Sequence, residues 1–449
     1  MDIREKIKEI NSQLNAVVTL IDEYPDENIT INSPLKGEYI AVKDNFSTKD
    51  ILTTASTKIL SNYIPKYDAT VITKLKKAGI KMVAKTTMDE LAMGGSGTTP
   101  CQGITHNPFD YERIAGGSSS GSSALVGSGV IDLALGSDTG DSVRKPASYC
   151  GIVGTKPTYG RISRYGVIPY CSSLDHVAYF SKTVLQSAQL LEVLAGFDEK
   201  DMTSSNIKVD DYSNISGELA GKKIAVITNL MDAKSDNQLK AGFNLLLNDL
   251  SRAGVEIVYV TMDQNLLDAL LPVYYIIANC EATTNHANLD GVRFGVREFG
   301  NNLEEIMINS RTKGFGFLLK KRFVIGSYGL DDKHQKEIFL KAKKIRRLIV
   351  NNYVSVLKDV DGILTLASDD VAPLIKDVNN NISVNSKHIL ADNHLVLGNF
   401  SGFPSITLPL GKVGNLPYGI NLTTKAFSEK LMFDIALGLE KMINEKGGY

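Results

Sequence analysis

The sequence has no surplus of charge of either sign: Lys and Arg total 49, and Asp and Glu total 50, over 449 residues. No net field would draw the whole molecule onto nucleic acid or an anionic membrane, so any such contact has to be local or made through a partner. Long apolar runs are also missing. The longest, near Ala269 to Ala278, is too short to span a bilayer, and the start Met1-Asp2-Ile3-Arg4-Glu5 is charged and helix-prone. A cytoplasmic protein without membrane contact is expected. Cysteine is scarce: Cys101, Cys150, Cys171 and Cys280 are scattered with no C-x-x-C pair. That pattern argues against a disulfide frame or a thiolate zinc site and suits a reducing compartment, with the four thiols as packing residues. No internal repeat, low-complexity tract or linker divides the chain. Its length would permit two or three domains, but with 43% hydrophobic residues it can bury one large core, and a single large domain is the reading.

Strand and helix patterns alternate, which makes the fold class α/β. Residues 2–23 read as one helix, and Tyr39-Ile40-Ala41-Val42 as a short strand that delivers Lys43 at its end. Asp68 to Ala78 is helical, Lys81 to Lys85 a strand, and Val130 to Leu135 a buried strand that feeds the segment around Ser142. Ser235 and Gln238 form a capping box ahead of Leu239, Phe243, Leu246 and Leu250 at helical spacing, before the strand Val255 to Val260. The helix Gln335 to Leu357 carries Ile338, Ala342, Ile345 and Ile349 on one face, and apolar strands recur at Gly362 to Leu366 and Ser405 to Leu410. Polar stretches at Ser204 to Ser216 and Asp377 to Ser386 read as surface loops.

Glycine and serine concentrate in two clusters flanking one strand. The first is Gly116-Gly117-Ser118-Ser119-Ser120-Gly121-Ser122, and the second is Gly136-Ser137-Asp138-Thr139-Gly140-Asp141-Ser142-Val143-Arg144-Lys145-Pro146-Ala147. A single such cluster is explained by unusual backbone angles and capping; a pair around one strand asks for more. Gly117-Ser118-Ser119-Ser120-Gly121 fits the G-x-S-x-G elbow formally, but that motif follows a strand and Tyr111-Glu112-Arg113 is a poor one. Asp138-Thr139-Gly140 matches the aspartic-protease triplet, yet no second copy exists to complete a carboxylate dyad. Neither cluster ends in the G-K-[S/T] of a phosphate-binding loop. What remains is a serine nucleophile on a glycine-flanked loop whose N–H groups can converge on an oxyanion.

The run from Gly116 to Pro157, with Val42-Lys43-Asp44-Asn45 and Met88-Asp89-Glu90-Leu91-Ala92-Met93-Gly94, closely resembles the amidase signature family. Within it, the likeness is to the glutaminase subunits of tRNA-dependent amidotransferases. The resemblance implies one domain over residues 1–449: an N-terminal helical segment over 1–30 and a catalytic core over about 39–200 and 355–449, with a mixed central β-sheet covered by helices on both faces. It places a Ser-cis-Ser-Lys triad on Ser142 (nucleophile), Ser118 (proton relay, following a cis peptide that Gly117 would ease) and Lys43 (ultimate base). For that role Lys43 has to be neutral, which burial behind an apolar strand would favour; Asp44 opposes it unless it faces away. The implied oxyanion hole is the backbone N–H groups of Thr139, Gly140, Asp141 and Ser142. The sequence departs from the family pattern at Asp141 and Ser120, both usually glycine, at His176, usually glutamine, and at Ala178-Tyr179, usually Gly-Pro. Arg144 is expected to brace the loop against Asp138.

The triad fixes a reaction class and leaves the substrate open. The glutaminase likeness implies that Tyr274, Arg322 and Asp392 line a glutamine pocket, Arg322 for the α-carboxylate and Asp392 for the α-ammonium. A stand-alone amidase acting on small aliphatic or aromatic amides is the alternative, and a catalytically dead scaffold a third reading. The same likeness implies that ammonia passes through an internal tunnel to a companion kinase, the B subunit, which activates Glu-tRNA(Gln), and in some lineages Asp-tRNA(Asn), and that a small C subunit completes a heterotrimer. ATP and magnesium are expected in the kinase, with no metal or cofactor in this chain, and tRNA contact through the complex. The basic run Lys341-Ala342-Lys343-Lys344-Ile345-Arg346-Arg347 reads as a solvated helix face.

Overall fold

The N-terminal helix Ile3–Leu14 stops at Asn15, which turns left-handed (φ 52°), and the Asn11 side chain accepts from the N–H groups of Ala16 and Val17 at 2.6 and 2.9 Å. The helix expected over residues 2–23 is therefore cut short, because the β-branched stretch Val17–Leu20 is strand β1. The computed structural model describes residues 2–21, 29–234, 236–378, 390 and 392–448. In chain order the further strands are β2 Tyr39–Lys43, β3 Lys81–Thr86, β4 His106–Asn107, β5 Asp110–Ile114, β6 Leu133–Asp138, β7 Val153–Lys156, β8 His176–Ser181, β9 Lys223–Ile227, β10 Glu256–Val260, β11 Gly362–Leu366, β12 Ser405–Val413 and β13 Leu416–Thr423.

Strands β4 and β5 form a separate two-stranded sheet; the rest form one 11-stranded sheet in the order β1-β3-β2-β6-β8-β7-β12-β13-β11-β9-β10. The sheet is mixed. Strand β2 runs parallel to β3 and β6, and β9 to β10 and β11, while β8, β12 and β13 pair antiparallel with their neighbours. The hairpin β12–β13 sits between β7 and β11, so the two ends of the chain share one sheet and the length yields one domain.

Helices cover both faces of this sheet, and strand alternation decides which side chains meet them. Ile40, Val42, Leu133, Leu135, Val177 and Tyr179 face a core shared with the helices Thr70–Lys77, Val184–Leu194 and Glu429–Lys446. On the opposite face Ala41, Ala134 and Ala178 pack with Ala124 and Leu125 of the helix Ser120–Gly127. The small residues are there because that helix comes close: a Cβ on Gly121 would lie 2.2 Å from the Ala16 carbonyl oxygen. Lys43, two positions after Ala41, shares this tight face.

Several boundaries differ from expectation. The strand read at 130–135 runs later, over Leu133–Asp138, and so carries Ser137 and Asp138 within its own ladder. Residues 110–114 are a strand after all, but in the separate β4–β5 pair. The helix expected from Gln335 opens as a π turn, Lys336–Leu340, before Lys341–Val356. Ser235 lies outside the described residues; the following helix is capped by Asp236, which accepts from the N–H groups of Gln238 and Leu239 at 2.7 and 2.9 Å. Asp377 belongs to a short helical turn, Ile375–Val378, and the remainder of that expected loop falls outside the described residues. Cys150, Cys171 and Cys280 are buried as packing residues, whereas Cys101 is exposed. Among the described residues no helix is long and apolar enough to cross a membrane.

Candidate active site

Lys43 ends β2 fully buried, its Nζ 2.7 Å from Ser118 Oγ, 2.9 Å from Ser119 Oγ and 2.9 Å from Ser137 Oγ. Asn45 donates to the same Ser137 hydroxyl at 3.1 Å. Burial pulls the Lys43 ammonium from 10.5 to about 7, against the opposing fields of Asp89, Asp138 and Asp175. None of those carboxylates touches the amine. Asp44, next in sequence, faces away: its carboxylate accepts from the N–H and hydroxyl of Thr54 and pairs with Lys85 Nζ at 3.3 Å. A neutral amine with a lone pair among three hydroxyls can take a proton from any of them.

The Gly117–Ser118 peptide is cis. A side chain at Gly117 is impossible, since its Cβ would lie 2.1 Å from an Asp89 carboxylate oxygen. Asp89 donates its own N–H to the Ser118 carbonyl at 3.0 Å while its carboxylate accepts from Gly97 N–H at 2.9 Å and the Thr99 hydroxyl at 2.7 Å, which clamps the turn holding Ser118. Ser119 N–H donates to the Ser142 carbonyl at 3.3 Å, which ties the two glycine-serine clusters together. Ser142 is buried just ahead of the helix Arg144–Tyr149.

Asp138 organises the loop between them. Its carboxylate accepts from Val143 N–H at 2.9 Å, from Arg144 Nη2 at 2.9 Å and from Asn399 Nδ2 at 2.9 Å. Burial opposes its charge, but the Arg144 guanidinium, with help from Lys156 and the Asn399 hydrogen bond, holds the carboxyl well below the usual range. Arg144 also donates to the Gly140 carbonyl at 2.7 Å, so the expected brace is present and extends to the loop backbone. The Thr139 hydroxyl is pinned by Asp175 at 2.7 Å. With its carbonyls and side chains so engaged, the loop leaves the N–H groups of Thr139, Gly140, Asp141 and Ser142 without an acceptor among the described residues. Unpaired donors on a loop that carries a serine are what an oxyanion requires.

A cavity of about 510 Å³ opens over this loop and is lined by Asp141, Lys145, Tyr274, Tyr275, Arg322 and Asp392. The three residues expected to read glutamine thus meet in one place. Tyr274 overhangs the loop so closely that a Cβ on Gly140 would lie 3.0 Å from its hydroxyl. Lys320 and Lys321 are exposed, but Arg322 turns inward, donates to Tyr170 Oη at 3.0 Å and lies over the Tyr275 ring. Asp392 is 3.2 Å from Lys145 Nζ, which also pairs with Asp141 at 2.7 Å.

The departures from the family pattern are accommodated. Ser120 bonds the Thr105 hydroxyl at 3.1 Å. Tyr179 is buried and donates to the Ser187 carbonyl at 2.9 Å. His176 donates through Nδ1 to the Leu174 carbonyl at 2.6 Å and packs edge-on against Tyr159; burial keeps it neutral by holding its pKa well below the ordinary value. Sequence reasoning missed Ser119 and Ser137 as contacts of Lys43, Asp89 as the clamp, and Lys145. Ser137 becomes visible only through the β2–β6 register: Val42 lies opposite Leu135, so Lys43 falls beside Gly136, one residue short of Ser137.

The sequence profile of the amidase family matches residues 3–433. The chain belongs to the amidase family. Among family members, the A subunit of glutamyl-tRNA(Gln) amidotransferase from Aliarcobacter butzleri (strain RM4018) is 38% identical over 451 residues, 99% of this chain and 95% of the relative. The crystal structure of a protein of the same name from Thermotoga maritima superposes with a TM-score of 0.82 at 35% identity, covering 98% of this chain and 90% of that one. A peptide amidase from Stenotrophomonas maltophilia also superposes at 0.82, covering 98% of this chain and 92% of that one, but at 23% identity it shows the amidase fold alone.

Proposed function

We propose that this amidase-family chain is the glutaminase subunit of a tRNA-dependent amidotransferase, hydrolysing glutamine to supply ammonia for converting Glu-tRNA(Gln) to its amide. The observation that carries the reading is the cavity: the Arg322 cation and the Asp392 carboxylate both line it beside the loop that bears Ser142, together with Lys145 and the carboxylates of Asp141, Asp369, Asp370 and Asp377. That pairing suits a free amino acid, and an apolar amide would use neither charge. The strong likeness to amidotransferase A subunits over nearly the whole chain supports the same substrate.

In the proposed mechanism Ser142 Oγ attacks the side-chain amide carbon while its proton passes to Ser118 Oγ, and the Ser118 proton passes to neutral Lys43. The tetrahedral oxyanion is held by the N–H groups of residues 139–142. The C–N bond breaks as the proton returns along the same relay to the leaving nitrogen, giving ammonia and a glutamyl ester. Water, deprotonated by the relay, then cleaves the ester. Ammonia is used elsewhere: a companion kinase binding ATP and magnesium would activate the tRNA-bound glutamate, with a small third subunit joining the two.

The test is turnover by the purified chain of glutamine against acetamide and benzamide. Preference for glutamine supports the reading, preference for the apolar amides makes the chain a stand-alone amidase, and no turnover in any assembly makes it a scaffold.

A further inference from the structure

Two carboxylates and one ammonium meet in the wall of the cavity, one of the carboxylates being that of Asp141, next in sequence to Ser142. Lys145, buried and one helical turn after Asp141, bridges Asp141 at 2.7 Å and Asp392 at 3.2 Å. Asp392 is the most open of the three, its side chain 40% exposed, whereas those of Asp141 and Lys145 are 14% and 7% exposed. Burial disfavours the Lys145 charge, yet the two carboxylates overcome this and keep it protonated throughout the physiological range. A permanent cation therefore stands against the carboxylate that would have to receive a substrate ammonium.

We propose that Asp141 is a specificity-determining residue that acts as the counterion of Lys145, so that Lys145 does not cancel the charge Asp392 offers to the α-ammonium of the substrate. This rests on the reading that Asp392 faces that ammonium. The physical reason is charge balance within a few ångströms. With Asp141 in place, the three side chains carry a net negative charge that attracts a cation. Without it, Lys145 and Asp392 cancel at this position, and attraction of the ammonium is left to Asp369, Asp370 and Asp377, which also line the cavity, against the like charge of Lys145. The backbone of Asp141 lies in the loop of unpaired N–H groups, so its side chain can tune binding while its main chain stays in place. Asp141 acts here through Lys145 and Asp392 and takes no part in the proton relay.

The experiment compares glutamine with glutaramate, the same amide and carboxylate lacking the α-ammonium, for the full-length chain in whichever assembly turns over glutamine. The readout is the ratio of kcat/KM for the two. Asp141→Asn should lower this selectivity about tenfold, chiefly through KM for glutamine, the size of one charge-assisted contact. The double variant Asp141→Asn with Lys145→Gln removes the cation as well and should recover the selectivity even if both proteins are less active. Unchanged selectivity in Asp141→Asn, or a loss that the double variant does not recover, overturns the counterion role. A parent chain that prefers glutaramate instead removes the glutamine reading and this inference with it.

Discussion

Lys43 stores free energy that the fold spends on chemistry, and replacing it by Met should expose the amount. A fall in pKa from 10.5 to about 7 corresponds to about 5 kcal/mol, at about 1.4 kcal/mol per pH unit. Because the folded-state value is depressed, the unfolded chain binds the proton more tightly between pH 7 and 10.5. Stability due to this group therefore rises with pH across that window and is flat below it. Lys43→Met keeps the volume and removes the titration. Chemical denaturation of both proteins at pH 7 and pH 9 should show the parent gaining about 2 kcal/mol relative to the variant. The kinetic counterpart has the same sign. The amine is the base, so kcat/KM should rise with pH through about 7 and level above it; at an ordinary lysine pKa only about one molecule in 10³ would hold a neutral amine at pH 7. A denaturation difference independent of pH, or a pH–rate profile flat from 6 to 9 with chemistry rate-limiting, would refute the assignment of a neutral Lys43.

Ser142→Ala should lower glutamine hydrolysis by about 10⁴-fold or more while leaving the denaturation curve in place; a rate within tenfold of the parent would remove Ser142 as nucleophile. Arg322→Ala and Asp392→Ala should each raise KM for glutamine by roughly 10²-fold. A transamidation assay fed ammonium chloride should be indifferent to Arg322→Ala in the assembled complex, and loss of both activities would mean a structural arginine. Labelled tRNA titrated into the isolated chain at two salt concentrations should bind at or above roughly 10 µM, the level of non-specific contact. Specific sub-micromolar binding without partners would overturn the proposed division of labour. The basic run offers little for specific contact: Lys341, Lys343, Lys344 and Arg347 are exposed, while Arg346, read as solvated, instead reaches the Ser173 hydroxyl and Phe400 carbonyl.

The sequence by itself determined the α/β class, the strand that ends in Lys43, the two glycine-serine clusters and, among the described residues, the placement of six of the thirteen strands within a few residues. These are legible because they depend on local periodicity and on motifs whose residues lie close in the chain. Element ends were less so: the Val17–Leu20 strand hides behind a helical start because its pairing partner, β3, is more than sixty residues away. Only the tertiary structure decided what the charges do. Lys43 and Lys145 look alike in sequence. One is surrounded by hydroxyls and loses its proton readily, and the other sits between two carboxylates and keeps it. That difference comes from solvent exclusion and from neighbours within about 3 Å that belong to distant segments, 392 to 145 and 137 to 43. A pKa is a property of those surroundings, and they exist only once the sheet has closed.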